Sequence, residues 1–357
     1  MDIPKKHVAV VGGGTCTERE SSLETAELVV KALTDAGYRV TFVDMDTEIA
    51  IKLSTLKPDV VFNCMQGIFG KDGCLPGHLN IMKLPYTHCG VLASSLASDK
   101  IKAKQWFRTI GLSTPDSVVI DKSDYVAGKS GDPMDRPYII KPVAQGTSRD
   151  GNDQICFVTV PLSIYNVITS FRYRYVEAIF HGDDFDFASY TFPYGNQILV
   201  ERFIKGREFT VAVLNGDVLG AAEVGESGAS CPKSWYFFTS APNQVGNLGK
   251  SKRFRDLETK YHEGFIKLSC PPHVSDSVNT ELLASAEKIY KSLDCRGPIR
   301  IDYILEEKTD RLFVLEVNTD PGLGPMSDFP AIAAASRGMN LECIFDEILK
   351  SACCDFQ

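Results

Sequence analysis

At 357 residues the chain is too long for one ordinary core, so two or three domains are expected. A hydrophobic fraction of 44% and a charged fraction of 24% are those of a globular protein, and a net charge of −8 excludes a general nucleic-acid binder, which needs a basic surface. With no run long enough to span a membrane, no apolar N-terminal signal and eleven cysteines lacking any C-x-x-C pair, the expectation is a cytoplasmic protein with reduced, buried thiols.

His7-Val8-Ala9-Val10-Val11 reads as a strand, Gly12-Gly13-Gly14-Thr15 as a turn, and Leu23 to Ala36 as a helix closed by Gly37. Tyr38 to Asp44 supplies the next strand, which completes a βαβ unit with a helix N-terminus placed to receive an anion. The glycines do not fit G-x-G-x-x-G, because Cys16 and Thr17 stand where the third belongs, and Glu20 would repel a pyrophosphate. A nicotinamide site is therefore disfavoured. Taken alone, Glu20 reads as ordinary dipole complementarity in a first helical turn.

Asp59 to Met65 is a third strand, Gln66 to Gly73 a glycine-punctuated loop, Cys74 to Met82 a short helix, and Pro85 to His88 a short strand. A small α/β domain over 1–95 results. A helix runs from Ser98 through Asp99-Lys100 to Gly111. The second domain, 96–197, has strands at Ser117 to Ile120, Arg136 to Pro142 and Ile155 to Val158. Between the last two lies a loop with Gly146, Thr147, Ser148 and Gly151. Such a turn is ordinarily flexible, but Lys141 at the strand end lets its N–H groups and charge meet phosphates. Ile164 to Ile179 is read as a helix, and the acidic cluster after His181 as a solvated loop, because it lacks the spacing of a calcium loop.

The third domain, 198–357, opens with a strand over Ile198 to Ile204 and a hairpin, Phe209 to Leu214 and Asp217 to Gly220, turned by Asn215-Gly216. Residues 225–264 are polar, glycine-rich and aperiodic, which reads as a lid or binding loop. Asn279 to Leu293 is an amphipathic helix, and Leu341 to Ala352 another. Cys353-Cys354 is read as an unstructured tail. Between these helices stands a predicted hairpin: Arg300 to Leu305, a polar turn, and Leu312 to Asn318, leading into Thr319-Asp320-Pro321-Gly322. Residues two apart share a face, so Arg300 joins Asp302 and Glu316 joins Asn318. Hard oxygen donors on a sheet suit Mg²⁺ with substrate phosphates; a solvated face with a surface ion pair is the alternative.

Taken in order, these blocks resemble the ATP-grasp ligases, and within them the D-alanine–D-alanine ligase family. The resemblance is carried by Gly13-Gly14-Thr15 with Glu18-Arg19-Glu20, Asn63 through Asp72-Gly73, Asp99-Lys100, Ile140-Lys141-Pro142 with Gly146-Thr147-Ser148, Glu201, Glu208-Phe209-Thr210-Val211, Lys260-Tyr261, Arg300-Ile301-Asp302 and Glu316 through Gly322. It implies an α/β fold, α+β in the ATP-binding part: a three-domain ATP-grasp fold whose N-terminal domain is a parallel-sheet pre-ATP-grasp domain. It implies ATP and two Mg²⁺ (with Mn²⁺ a substitute), amino-acid or amine substrates, and a homodimer.

The resemblance also implies roles. Lys100 and Lys141 meet phosphates with the Gly146 loop over them, and Lys260 binds both ATP and the amino-acid substrate. Glu201, Arg202, Phe203 and Ile204 form the adenine hinge, and Glu208 binds ribose. Asp302, Glu316 and Asn318 hold the metals, which neutralise the phosphates. A carboxylate attacks the γ-phosphate, an amine attacks the acyl phosphate, and Arg300 with the Gly322 N–H stabilises the oxyanion. Glu20 pairs with the first substrate's ammonium and joins Thr147 or Ser148 and Tyr261 in a hydrogen-bonded triad.

Four places depart from the family pattern. Gln66 stands for a histidine near the amino-acid pocket, Thr147 for a serine with Arg149-Asp150 before Gly151, Arg255 and Leu257 for lid tyrosines, and Ser327-Asp328 for a serine and an apolar residue that hold the second substrate's carboxylate. An aspartate there repels a carboxylate unless it faces away. The expectation is an ATP-dependent carboxylate–amine ligase whose second substrate is open. The alternatives are the same chemistry on another amino acid or amine, and a catalytically inactive nucleotide-binding protein.

Overall fold

Strand and helix alternate at the N-terminus: β1 (His7–Gly13), α1 (Arg19–Asp35), β2 (Arg39–Met45), α2 (Ile49–Leu56) and β3 (Val60–Asn63). The computed structural model of the chain describes residues 6–16, 18–124, 133–144, 155–158, 178–181, 196–224, 268–324 and 327–355. The three strands form a parallel sheet in the order β2-β1-β3, with Val10 opposite both Phe42 and Phe62. Parallel strands need their crossovers, which α1 and α2 provide. The glycine turn after β1 is explained by packing. A side chain on Gly12 would meet the Ala26 Cβ at 3.0 Å, so glycine lets α1 lie against the strand. Gly13 has a φ of 85°, and its amide donates to Ser22 Oγ at 2.8 Å.

Next come α3 (Cys74–Ile81), α4 (Val91–Ser98) and α5 (Lys100–Thr109). The strand expected over Pro85 to His88 reduces to isolated bridges, Tyr86 pairing with Val61 on one side and Cys353 on the other. The tail is consequently not unstructured. Asp355 accepts from Asn80 Nδ2 at 2.8 Å, Tyr86 Oη at 3.0 Å, the Val91 amide at 3.0 Å and Arg296 at 2.6 Å. Gly90, the residue before α4, has no side chain with which to cap that helix, so Asp355 supplies the acceptor.

Contacts divide the chain into two units, Met1–Thr114 with Arg207–Glu223 and Cys270–Gln357, and Pro115–Gly206 with Val224–Ser269. The second unit holds β4 (Ser117–Asp121), β5 (Tyr138–Pro142), β6 (Ile155–Val158), β7 (Ala178–His181) and β8 (Gln197–Arg202), in the order β4-β8-β5-β6-β7. The helix expected over Ile164 to Ile179 is corrected at its end: Ala178 and Ile179 are strand residues, paired in parallel with Ile155 and Cys156. The rest of that segment lies outside the described residues.

The first unit continues with β9 (Gly206–Leu214) and β10 (Asp217–Val224); after β11 (Leu268–Ser269) come α6 (Asp276–Ser292), β12 (Pro298–Glu306), β13 (Leu312–Asn318), α7 (Asp328–Arg337) and α8 (Leu341–Lys350). Strands β10, β9, β12 and β13 lie side by side in that order. Asn215 and Gly216 turn the first hairpin with φ values of 51° and 91°, as a two-residue loop between twisted strands requires. Phe209, Val211, Ile299, Ile301, Tyr303 and Val317 pack with Leu282, Ala286 and Ile289 of α6 into one core.

Candidate active site on a polar sheet face

That core fixes the opposite face. On β9, Glu208 and Thr210 alternate with Phe209 and Val211; on β12, Arg300 and Asp302 alternate with Ile299, Ile301 and Tyr303. With the odd-numbered residues in the core, the even-numbered polar ones share the other face. Strand β13 joins them through a bulge. Arg300 pairs with Asn318 and Asp302 with Glu316, but Tyr303 pairs with Val314, so Leu315 is an extra residue. Leu312 and Val314 belong to the core. Strict alternation would send Glu316 and Asn318 there too, and the extra residue instead turns both to the polar face.

Arg300 grips Asp302 with two bonds, Nε to Oδ1 at 2.9 Å and a terminal nitrogen to Oδ2 at 2.7 Å. The same guanidinium lies 3.9 Å from Glu316 and 3.9 Å from Asp328. Thr210 Oγ1 donates to Asp302 Oδ1 at 2.7 Å, and Asn318 Nδ2 reaches Glu316 at 3.2 Å and Asp302 at 3.4 Å. Arg300, Asp302, Thr210 and Asp328 are all buried. Three carboxylates thus surround one guanidinium, an excess of negative charge that a divalent cation fits. Among the described residues no group of three or more His, Cys, Asp and Glu is arranged to hold a metal unaided. The candidate donors are two carboxylates and the Asn318 amide, with phosphate oxygens to complete the set.

At the end of β13 the chain turns so that Ser327 stands over Gly322; a side chain on Gly322 would meet Ser327 Oγ at 2.8 Å. Asp328 opens α7, a helix that sequence reading did not identify, and its carboxylate is turned to Arg300. Gln66 is buried and its Nε2 lies 3.5 Å from Asp320 Oδ1. Asp320 also accepts from Asn63 Nδ2 at 3.1 Å and faces His88 Nε2 at 3.3 Å. Burial pushes the Asp320 carboxyl well above its usual range, Lys71 opposing and Glu18 adding to the shift. Burial also brings His88 down to about 3, with the Arg296 charge acting the same way, so the imidazole is neutral.

The second unit contains Lys141, Glu201, Arg202, Phe203 and Ile204. Lys141 Nζ donates to Glu201 Oε1 at 2.8 Å, both buried, on diagonal positions of β5 and β8. Arg202 lies 3.6 Å from Asp116, while Phe203 and Ile204 are buried. Lys100 begins α5 behind the cap Asp99, whose carboxylate accepts from the Ile101 and Lys102 amides. Glu20 is exposed in the first turn of α1, and the nearby buried acid is Glu18, 3.7 Å from Lys71. Gly146, Thr147, Ser148, Lys260 and Tyr261 lie outside the described residues, as do Arg255 and Leu257. Sequence reading missed Thr210 as a support for Asp302, although it was quoted within a motif; its position two residues beyond Glu208 was the available signal.

A family model for the D-Ala–D-Ala ligase C-terminus matches residues 185–350. A D-alanine–D-alanine ligase of Rickettsia felis is 45% identical over 348 residues, 98% of this chain and 92% of the relative. The Rickettsia bellii D-alanine–D-alanine ligase is 45% identical over 351 residues, 98% and 93% of the two chains. The chain belongs to the D-alanine–D-alanine ligase family. Two solved structures of the Bacillus anthracis D-alanine–D-alanine ligase, one complexed with ATP, share its fold, with TM-scores of 0.66 and 0.69 at 19% identity and 97% of each chain covered. The fold is accordingly the three-domain ATP-grasp fold, and the chain is an ATP-dependent ligase that forms a C–N bond.

Proposed function

We propose that this D-alanine–D-alanine ligase family member joins two D-alanines with ATP, through an acyl phosphate. The observation that carries the reading is the single sheet face holding Glu208, Thr210, Arg300, Asp302, Glu316 and Asn318, with Gly322 and Ser327 at its edge. The first D-alanine's carboxylate attacks the γ-phosphate and ADP leaves. The second amine attacks the acyl carbon, and phosphate leaves from a tetrahedral intermediate. Arg300 and the Gly322 N–H stabilise the oxyanion. Asp302, Glu316 and Asn318 hold Mg²⁺, two ions with Mn²⁺ as a substitute, and bound metal supplies charge neutralisation to the phosphates.

The chain's other contributions are positional. Lys100, Lys141 and the Gly146 loop take phosphates; Lys260 binds both ATP and the amino-acid substrate; Glu201 to Ile204 hold adenine; Glu208 takes ribose. Glu20 binds the first ammonium and joins Thr147 or Ser148 and Tyr261. Gln66, Ser327 and Asp328 border the amino acids. The domains run 1–95, 96–197 and 198–357 with a lid over 225–264, in a cytoplasmic homodimer that engages neither membrane nor nucleic acid.

A second reading keeps the chemistry and changes the second substrate. It is favoured by Asp328, a buried acid beside the candidate carboxylate pocket. The Arg300 guanidinium 3.9 Å away offsets that charge, so D-alanine remains the first choice. A phosphate-release screen of the purified enzyme over D- and L-amino acids and simple amines decides between them. Turnover with D-alanine alone supports the proposal, and turnover only with a mixed pair supports the second reading.

A further inference from the structure

Asp320 has no part in the reaction as derived, yet its surroundings are highly specified. It lies between Asn318 and Gly322, in the segment that joins the metal-binding strand to the oxyanion amide. Its carboxylate is buried at 3% exposure, against residues from the first parallel sheet and the turns after it. Asn63 Nδ2 donates to Oδ2 at 3.1 Å, and Asn63 is itself held, its Oδ1 accepting from the Met65 amide at 3.0 Å. The Asn63 amide donates to Thr87 Oγ1 at 2.9 Å, and Thr87 Oγ1 is 2.9 Å from His88 Nδ1. His88 Nε2 stands 3.3 Å from Asp320 Oδ1 but makes no hydrogen bond to it, so the neutral imidazole borders the carboxyl group. Gln66 Nε2 reaches the same oxygen at 3.5 Å and closes a ring through residues 63–66.

We propose that Asp320 is a positioning residue for the ligase reaction, setting the Gly322 amide and the Gln66 side chain through this buried ring. The inference rests on the ligase reading of the sheet face. A carboxylate is suited to the task because it accepts from two sides, tying Asn63 to one oxygen and Gln66 to the other. Buried polar groups of this kind have few alternative partners, so the ring admits one arrangement of the segment. A small displacement of an oxyanion donor is expensive in rate.

The polarity of the Asn63–Asp320 pair supplies the test. Asn63→Asp sets two carboxyl groups face to face, and Asp320→Asn leaves one acceptor oxygen where Asn63 and Gln66 use two, each with little change in volume; the double exchange restores a donor facing an acceptor. The measurements are kcat, the KM for D-alanine and for Mg-ATP, and Tm. Each single variant is expected to lose roughly tenfold or more in kcat, with the Mg-ATP KM nearly unchanged. The double variant is expected to recover both kcat and Tm. Single variants that keep the wild-type kcat overturn the proposal. So does a double variant that recovers Tm without kcat, since the ring is then structural only, or one that does not fold. Failure of the ligase reading is separate: it shows as absence of turnover in the wild-type enzyme.

Discussion

The Thr210 hydroxyl donates to Asp302 Oδ1 at 2.7 Å across neighbouring strands, with both residues buried. Asp302 is thereby held from two directions, by Thr210 and by the paired bonds from Arg300. Supports of this kind orient a metal-binding carboxylate and tune its affinity. Thr210→Val keeps the shape and removes the donor. It is expected to raise the Mg²⁺ concentration for half-maximal activity by roughly 10-fold or more. Oδ1 keeps its bond from Arg300 Nε, so the cost in stability is that of one lost hydrogen bond to a charged group, about 1.5–3 kcal/mol, read from denaturant unfolding.

The unequal charge around Arg300 gives a second expectation. Chelation by EDTA is expected to abolish phosphate release, and Mg²⁺ to restore it. Glu316→Gln removes one of three carboxylates and is expected to lower kcat by roughly 100-fold. A titration of activity against Mg²⁺ checks both.

The extra residue in β13 is a third point of test. Deleting Leu315 restores strict alternation and turns Glu316 and Asn318 towards Leu282 and Ala286 in the core. Burying an unpaired carboxylate costs several kcal/mol, on the order of 3–5 by analogy with broken buried pairs. A large drop in Tm with loss of activity is expected, whereas Leu315→Ala is expected to keep the face intact and lose far less.

Acid stability should report on the C-terminal clamp. Burial alone would raise the Asp355 carboxyl, but bonds from the Val91 amide, Arg296, Asn80 and Tyr86 more than reverse it, and the group sits below its ordinary range. A carboxyl depressed on folding binds its proton less readily than in the unfolded chain. Its contribution is therefore present above about pH 4 and lost as pH falls through the lower folded value. Asp355→Asn is expected to lower Tm at neutral pH and to flatten the Tm profile below about pH 4.

Much of the candidate site was legible because its chemistry is local. Arg300 and Asp302 are two apart, as are Glu316 and Asn318, and the hairpin pairs them as period-two reasoning requires. The run Leu312-Phe313-Val314-Leu315 was not legible in the same way. Four apolar residues give no alternation, so the bulge that aims Glu316 is invisible in sequence. Long-range partners were hidden for another reason. Nothing local links Asp320 to Asn63 or His88, or Asp355 to Asn80 and Arg296, and only the packed fold brings them together. Asp328 raised a question that sequence posed correctly. Its answer, a carboxylate turned to Arg300, depends on a helix α7 whose start Ser327-Asp328 resembles a loop until Phe329, Pro330, Ile332 and Ala333 are seen packed.

The most direct test of the account is product analysis with purified enzyme, D-alanine and Mg-ATP. Mass spectrometry of the mixture is expected to show D-alanyl-D-alanine formed in proportion to ADP, with Arg300→Ala losing both together. A folded enzyme that hydrolyses ATP without forming a dipeptide, or that consumes no ATP with any amino acid, would contradict it.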